Sequence, residues 1–434
     1  MMTKYPNKIK QNLTHLIKEM HHHSDDYVKH PGIDFTRTRK LSFETMMNFI
    51  LAMNGNSIYT ELMTYFEYDP DTASTSAFVQ QRDKIKPEAF VQLFNDFTDT
   101  YDNLKVFRGF RLLAVDGSTL NIAHNPNDSL TYLKSSTAKK GYNSLHLNTL
   151  YDLQNKLYVD ATVQMIRKSH ERQALIEMVN QSRITSPTIL IADRGYESYN
   201  TFAHLQRKGW NYVIRVKDIH SKGIVSSLSL PKRDEFDQVI TLNLTRKQTN
   251  EVKANPGKYK FLPHHARFDF FEIDHLDYYE MSFRVVRFKL TETTYETLIT
   301  NLEASEFSPQ DLKEIYHMRW GIETSFRELK YALGLVSFHA KKIPFILQEI
   351  FAKLTMYNFC EMITLNVIIS QKKRKYDYQV NFTAAIHLCC EYFKSTHIQV
   401  EKLIKKTILP IRKDRQNKRN LKLKTYISFI YRIN

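Results

Sequence analysis

The stretch SPQDLKEIYHMRWGIETSFRELKYAL, residues 308–333, carries Tyr316, Arg319, Glu323 and Lys330 at helical spacing. At roughly 100° per residue these four fall within about 60° of one another, on a stripe about 20 Å long. Apolar Ile315, Met318, Ile322, Phe326 and Leu329 occupy other rows, so the stripe of phenol, guanidinium, carboxylate and ammonium is a functional face. Ser308 as N-cap, Pro309 at the first helical position, Asp311 in the first turn and Gly334 just past the end predict a well-anchored helix. A carboxylate presented beside Arg and Lys suits a metal next to phosphate.

Two further acids close short apolar runs. Asp116 follows LLAV and precedes Gly-Ser-Thr; Asp193 follows TILIA and precedes Arg-Gly-Tyr. Such runs predict buried central strands whose carboxyl ends deliver side chains to one edge of a sheet. Asp116, Asp193 and Glu323 could thereby converge. Hard Mg²⁺ takes carboxylate oxygens, and two such ions about 4 Å apart activate water and stabilise a leaving oxygen in phosphodiester cleavage.

Asp116 in VDGS, Asp193 in ADRGY and the spacing Tyr316-x2-Arg319-x3-Glu323-x6-Lys330 resemble the DDE transposases of bacterial insertion sequences, IS-four type. The resemblance runs over roughly residues 35 to 350. It implies an α/β ribonuclease H-like catalytic core with a mainly β insertion, flanked by helical N- and C-terminal regions. It implies Asp116, Asp193 and Glu323 as catalytic metal ligands for two Mg²⁺ ions, with Mn²⁺ able to substitute. Tyr316, Arg319, Lys330, Arg194 and Arg327 would contact DNA. The activity implied is cut-and-paste transposition: hydrolysis at the element ends, then strand transfer to target DNA. The partners implied are double-stranded DNA, as terminal inverted repeats and as target, and a second copy of the chain in a synaptic homodimer. A DNA-binding regulator that has lost catalysis and a structure-selective nuclease are the rival readings.

Composition agrees. A chain of 434 residues with 42% hydrophobic content can bury two or three cores, and a net charge of +16 favours a polyanionic partner. Cys360, Cys389 and Cys390 make neither a disulfide framework nor a CxxC zinc pattern, and no apolar run approaches a membrane span, so the cytoplasm is the expected compartment, with nucleoid association on DNA.

In chain order, residues 1–105 read as a helical DNA-binding region. The helix STSAFVQQRDKI offers Gln80, Gln81, Arg82 and Lys84 either to base edges, as in a helix-turn-helix, or to solvent. Residues 106–216 read as the first part of the core: three antiparallel strands, a helix, the strand ending at Asp193, a helix and one more strand. Asp152, Asp160 and Glu171 lie in this part and are set aside as metal ligands. Asp152 suits a hairpin turn, Asp160 lies mid-strand, and Glu171 complements a helix dipole. Lys139 and Lys140 are phosphate contacts or solvated loop lysines.

Residues 217–295 alternate and read as the β-rich insertion. Relatives of this type can stack an insertion-domain Trp on a flipped base, but Trp stands here only at 210 and 320. That role would fall to Phe268, Phe270, Phe271 or Tyr279, which read equally as core. Residues 296–340 complete the core with the Glu323 helix. Residues 341–434 read as a helical C-terminal region with a basic tail that includes Arg412, Lys413, Arg415, Lys418 and Arg419.

Overall fold

The computed structural model describes residues 4–411, apart from 38, 135–139, 370, 372–375 and 396. Lys139 and the tail cluster from Arg412 to Arg419 lie outside the described residues. Five helices come first: α1 (Lys4–His22), α2 (Phe43–Ala52), α3 (Ile58–Tyr65), α4 (Thr75–Lys84) and α5 (Glu88–Asp99). The core then runs β1 (Arg111–Ile122), β2 (Tyr132–Leu133), β3 (Tyr142–Asp152), β4 (Leu157–Met165), α6 (Glu171–Gln181), β5 (Thr188–Ala192), α7 (Tyr199–Lys208) and β6 (Asn211–Val216). After it come β7 (Phe236–Thr245), α8 (Asn250–Ala254), β8 (Tyr259–Phe261), α9 (Phe270–Ile273), β9 (Tyr278–Lys289) and β10 (Tyr295–Thr300). The chain finishes with α10 (Pro309–Met318), α11 (Trp320–Tyr331), α12 (Ile343–Thr364), α13 (Phe382–Lys394) and α14 (Val400–Lys406).

Among the described residues one mixed sheet has the order β2-β3-β1-β5-β6-β10-β9-β7-β8, with β4 also paired to β3. β1, β5 and β6 are parallel, as buried TILIA requires, while β1–β3 and β3–β4 are antiparallel. The alternating segments after residue 217 extend this same sheet, since β9 pairs with β10 and β7 with β9. Phe268 and Phe270 are buried in the core of that extension, with Phe271 and Tyr279 packed against them.

The pleat sorts side chains between two faces. Leu113, Val115, Leu190, Ala192 and Ile214 enter the core beneath α6 and α7. Leu112, Ile189, Ile191 and Val213 pack against Leu312, Ile315 and Tyr316 of α10. Asp116 shares its parity with Leu112, and Asp193 shares its parity with Ile189 and Ile191. Both acids therefore belong to the face covered by α10.

The third core joins the two ends of the chain: Leu13, Phe49 and Phe94 meet Ile350, Phe359 and Ile386 around α12. The residues that interrupt the apolar pattern of α12, namely Gln348, Glu349, Lys353, Asn358 and Glu361, are all buried. Each has an internal partner. Asn358 Nδ2 donates to the Tyr158 carbonyl at 2.7 Å, and Gln348 Nε2 to the Ile85 carbonyl at 2.8 Å.

Arg82, a candidate base reader from its sequence, is 1% exposed and faces the same helix. Its Nε donates to Gln348 Oε1 at 2.7 Å, Nη1 to Glu349 Oε1 at 3.0 Å and Nη2 to the Phe345 carbonyl at 2.6 Å. Gln81 is buried as well. Burial pushes the Glu349 carboxyl up, but the Arg82 charge and the His339 hydrogen bond prevail and hold it at about 2. A depressed carboxyl pKa contributes stability above the unfolded value that is lost as pH falls towards 2. Arg82→Met is expected to cost about 3–5 kcal/mol at pH 7, because it strands a buried carboxylate. Adding Glu349→Leu should return much of that loss, as read by urea unfolding of both variants.

Candidate active site

The parallel pairing of β1 with β5 stops at Ala114 opposite Ile191. β1 does not end at Asp116, as the apolar run suggests. It continues to Ile122 with β3 alone beside it, Asp116 opposite Thr149. β5 ends at Ala192, so Asp116 and Asp193 each stand two residues beyond that last parallel pair. Asp116 Oδ1 accepts from Gly117 N at 2.9 Å, and Asp193 Oδ1 accepts from Gly195 N at 2.8 Å as the chain turns.

Residues 308–333 form two helices meeting at Arg319, where one continuous helix is expected. The junction tightens to three-residue hydrogen bonds: Arg319 N donates to the Tyr316 carbonyl and Ile322 N to the Arg319 carbonyl, both at 3.1 Å. At Gly321 a Cβ would lie 3.0 Å from Leu153 Cδ2, so the junction packs closely on the sheet. The start is the expected one. Ser308 Oγ accepts from Asp311 N, and Asp311 Oδ2 accepts from Ser308 N at 2.9 Å, a reciprocal capping box.

This entry aims the functional residues at the two strand ends. Arg319 is buried, and its Nη2 donates to Glu323 Oε1 at 2.8 Å. The same guanidinium lies 5.7 Å from the Tyr316 ring centre and 5.4 Å from that of Trp320, which is half exposed. Tyr316 is buried too, in the core between α10 and the sheet. Lys330 Nζ donates to the Thr119 carbonyl at 2.9 Å, tying α11 to the projecting part of β1. Arg194 and Arg327 are exposed.

The Asp116 carboxyl senses the charges of the other two acids. Burial, opposed by the Gly117 N–H and the Arg319 charge and reinforced by Asp193 and Glu323, raises the Asp116 carboxyl to about 6. Among the described residues no three His, Cys or acidic side chains stand close enough to share one ion, and Glu323 is on Arg319 instead. The donor chemistry nonetheless fits a hard divalent cation. The acids supply oxygen ligands, and the Asp116 pKa, raised first by burial and then by Asp193 and Glu323, marks a charge that a cation would relieve.

A raised carboxyl pKa makes the folded state bind more protons than the unfolded one, so this group's contribution falls as pH rises from about 4 to 6 and stays low above. Asp116→Asn is therefore expected to raise metal-free stability by about 2 kcal/mol at pH 7 and to leave it unchanged below pH 4. Thermal melts in EDTA at the two pH values check this.

Three residues that the sequence reading sets aside or does not weigh also border the site. Glu171, the first residue of α6, has Oε1 2.9 Å from His146 Nε2. Tyr196, in the turn after Asp193, is 1% exposed, and its hydroxyl is pushed far up by burial and by Glu171, Asp116 and Asp193. Tyr196 follows Asp193 within the quoted ADRGY. The His-Glu pair leaves no spacing signal, because it forms between β3 and a helix start.

A mixed sheet flanked by helices thus carries Asp116 within β1, Asp193 just past the end of β5 and Glu323 on the covering α11. The family described as transposase DDE domain matches residues 108–359, and the chain belongs to it. Its function is that of a transposase. Among solved structures, a piggyBac transposase synaptic complex with hairpin DNA is similar in fold, with a TM-score of 0.50 at 11% identity over 96% of this chain and 88% of that one. The sheet order and this likeness fit a ribonuclease H-like transposase fold. No curated protein matches. Among the described residues no helix is long and apolar enough to cross a membrane.

Proposed function

We propose that the protein is an insertion-sequence transposase of the IS-four type. It binds the terminal inverted repeats of its element, hydrolyses the phosphodiester at each end and joins the released 3′-hydroxyls to target DNA. The observation that supports this is the half-buried Asp116, whose carboxyl burial raises to about 6 and which senses the charges of Arg319, Asp193 and Glu323. Asp116, Asp193 and Glu323 would hold two Mg²⁺ ions, with Mn²⁺ substituting, and the bound ions would activate water and stabilise the leaving oxygen.

The chain's own residues supply the positioning. Arg319 steadies Glu323 from a buried seat, and Tyr316 packs against Arg319. Lys330 sits at the projecting part of β1, where a phosphate would pass Asp116, and exposed Arg194 and Arg327 hold flanking phosphates. Hydrolysis breaks the bond between phosphorus and the 3′ oxygen. That oxygen then attacks a target phosphate, so no protein nucleophile is required. Cutting and joining two ends together calls for a homodimer on DNA, in the cytoplasm with the nucleoid.

Incubation of labelled element ends with a target plasmid in Mg²⁺ tests the proposal. Ends covalently joined to plasmid are expected. Cleavage without joining would make the protein a nuclease, and binding without cleavage a regulator.

A further inference from the structure

We propose that Glu171 is a fourth carboxylate of the metal site, held in place by His146; this rests on the reading of Asp116, Asp193 and Glu323 given above. Glu171 is the first residue of α6, and its side chain lies against Gly117 of β1 and Gly195 in the turn after β5. A Cβ added to Gly117, next to Asp116, would meet Glu171 Oε1 at 2.8 Å. A Cβ added to Gly195, two residues past Asp193, would lie 3.7 Å from Glu171 Oε2 and 3.0 Å from Asp193 Oδ1. Each glycine thus leaves room for a carboxylate that reaches from a third element.

The two oxygens of Glu171 have different surroundings. Oε1 is 2.9 Å from His146 Nε2, on a β3 residue that is itself buried and pairs with Thr119 of β1. Oε2 faces the turn beside Asp193. A His that fixes one oxygen of a carboxylate leaves the other as a donor of defined direction, the arrangement that supports metal ligands in general.

An independent observation points into the same space. The Tyr196 hydroxyl is buried without a hydrogen-bond partner among the described residues, and the charges it senses are Glu171, Asp116 and Asp193, with Arg319 opposed. The Tyr196 ring packs in the core beneath α6 and α7, but its hydroxyl, left without a partner at the edge of that core, calls for a polar group on the side of the acids. A helix start complements a carboxylate too, but that role alone gives no reason for Oε2 to sit beside Asp193.

Mn²⁺ alone is the probe. The full-length protein is titrated with MnCl₂ and free Mn²⁺ is followed by its electron paramagnetic resonance signal. Glu171→Gln is expected to weaken Mn²⁺ binding at least about tenfold, as Asp116→Asn does, and His146→Phe to weaken it less. If Glu171→Gln binds as wild type does while Asp116→Asn loses the ion, the triad stands and the fourth carboxylate is overturned. If neither substitution changes binding, the triad falls as well.

A second measurement needs no variant. Fe²⁺ with ascorbate and peroxide cuts backbone next to a bound ion, and wild-type chain should be cut near residues 170–172 as well as near 116–118 and 193–195. Cuts at the latter two alone would overturn the assignment of Glu171.

Discussion

Glu323→Gln is expected to leave DNA binding intact and to lower end cleavage by on the order of 10³-fold or more, the scale on which a preorganised charge-stabilising group acts. The substitution keeps the shape of the side chain and removes its charge. Glu323 packs no core: its side chain is partly exposed, and its Oε1 accepts from Arg319 Nη2 at 2.8 Å. The amide oxygen can still accept from Arg319, so α11 should stay seated through buried Ile322, Phe326 and Leu329. What is lost is one of the three negative charges that gather at Asp116. Gel-shift titration and single-turnover cleavage on the same labelled DNA separate the two effects. Retained cleavage would remove Glu323 from the site.

Gly117→Ala should be nearly as damaging to cleavage, although it touches no charge. A Cβ at 117 would lie 2.4 Å from His146 Nε2, 2.9 Å from His146 Cε1 and 2.8 Å from Glu171 Oε1, closer than any real contact. The Glu171 side chain can swing away, but the His146 ring is buried on β3 and cannot move freely. Strand β1 must then shift and carry Asp116 with it. Overpacking of this kind costs about 1–3 kcal/mol. A displacement near 1 Å at the reacting groups costs on the order of 10²-fold in rate. The expected variant is folded, somewhat less stable in a thermal melt and poorly active. Wild-type cleavage by Gly117→Ala would show that the His146–Glu171 contact is not coupled to Asp116.

Much of this was legible along the chain because it depends on local patterns. Continuous apolar runs predicted β1 and β5, and the Ser308–Asp311 start of α10 appears as a capping box. What local pattern could not show was pairing at a distance. Arg82 reads as a solvated or base-reading cation until α12, more than 260 residues later, presents Gln348 and Glu349 to it. The polar residues of α12 likewise find their partners in other segments. The break at Arg319 leaves no local pattern, since its three-residue hydrogen bonds go with a close approach of Gly321 to Leu153, far off in the chain. Glu171 reads as structural because a carboxylate at a helix start already has a sufficient local reason. Its approach to Asp193 exists only once α6 crosses the sheet.

The central claim is that one site built from Asp116, Asp193 and Glu323 cuts DNA at the element ends with divalent metal. The most direct measurement maps the products that wild-type protein forms from end-labelled element DNA in Mg²⁺ and in EDTA. Cuts confined to the element boundary, bearing 3′-hydroxyls and absent in EDTA, are the predicted result. Cutting that persists in EDTA, or that leaves a phosphate on the 3′ side, would contradict it.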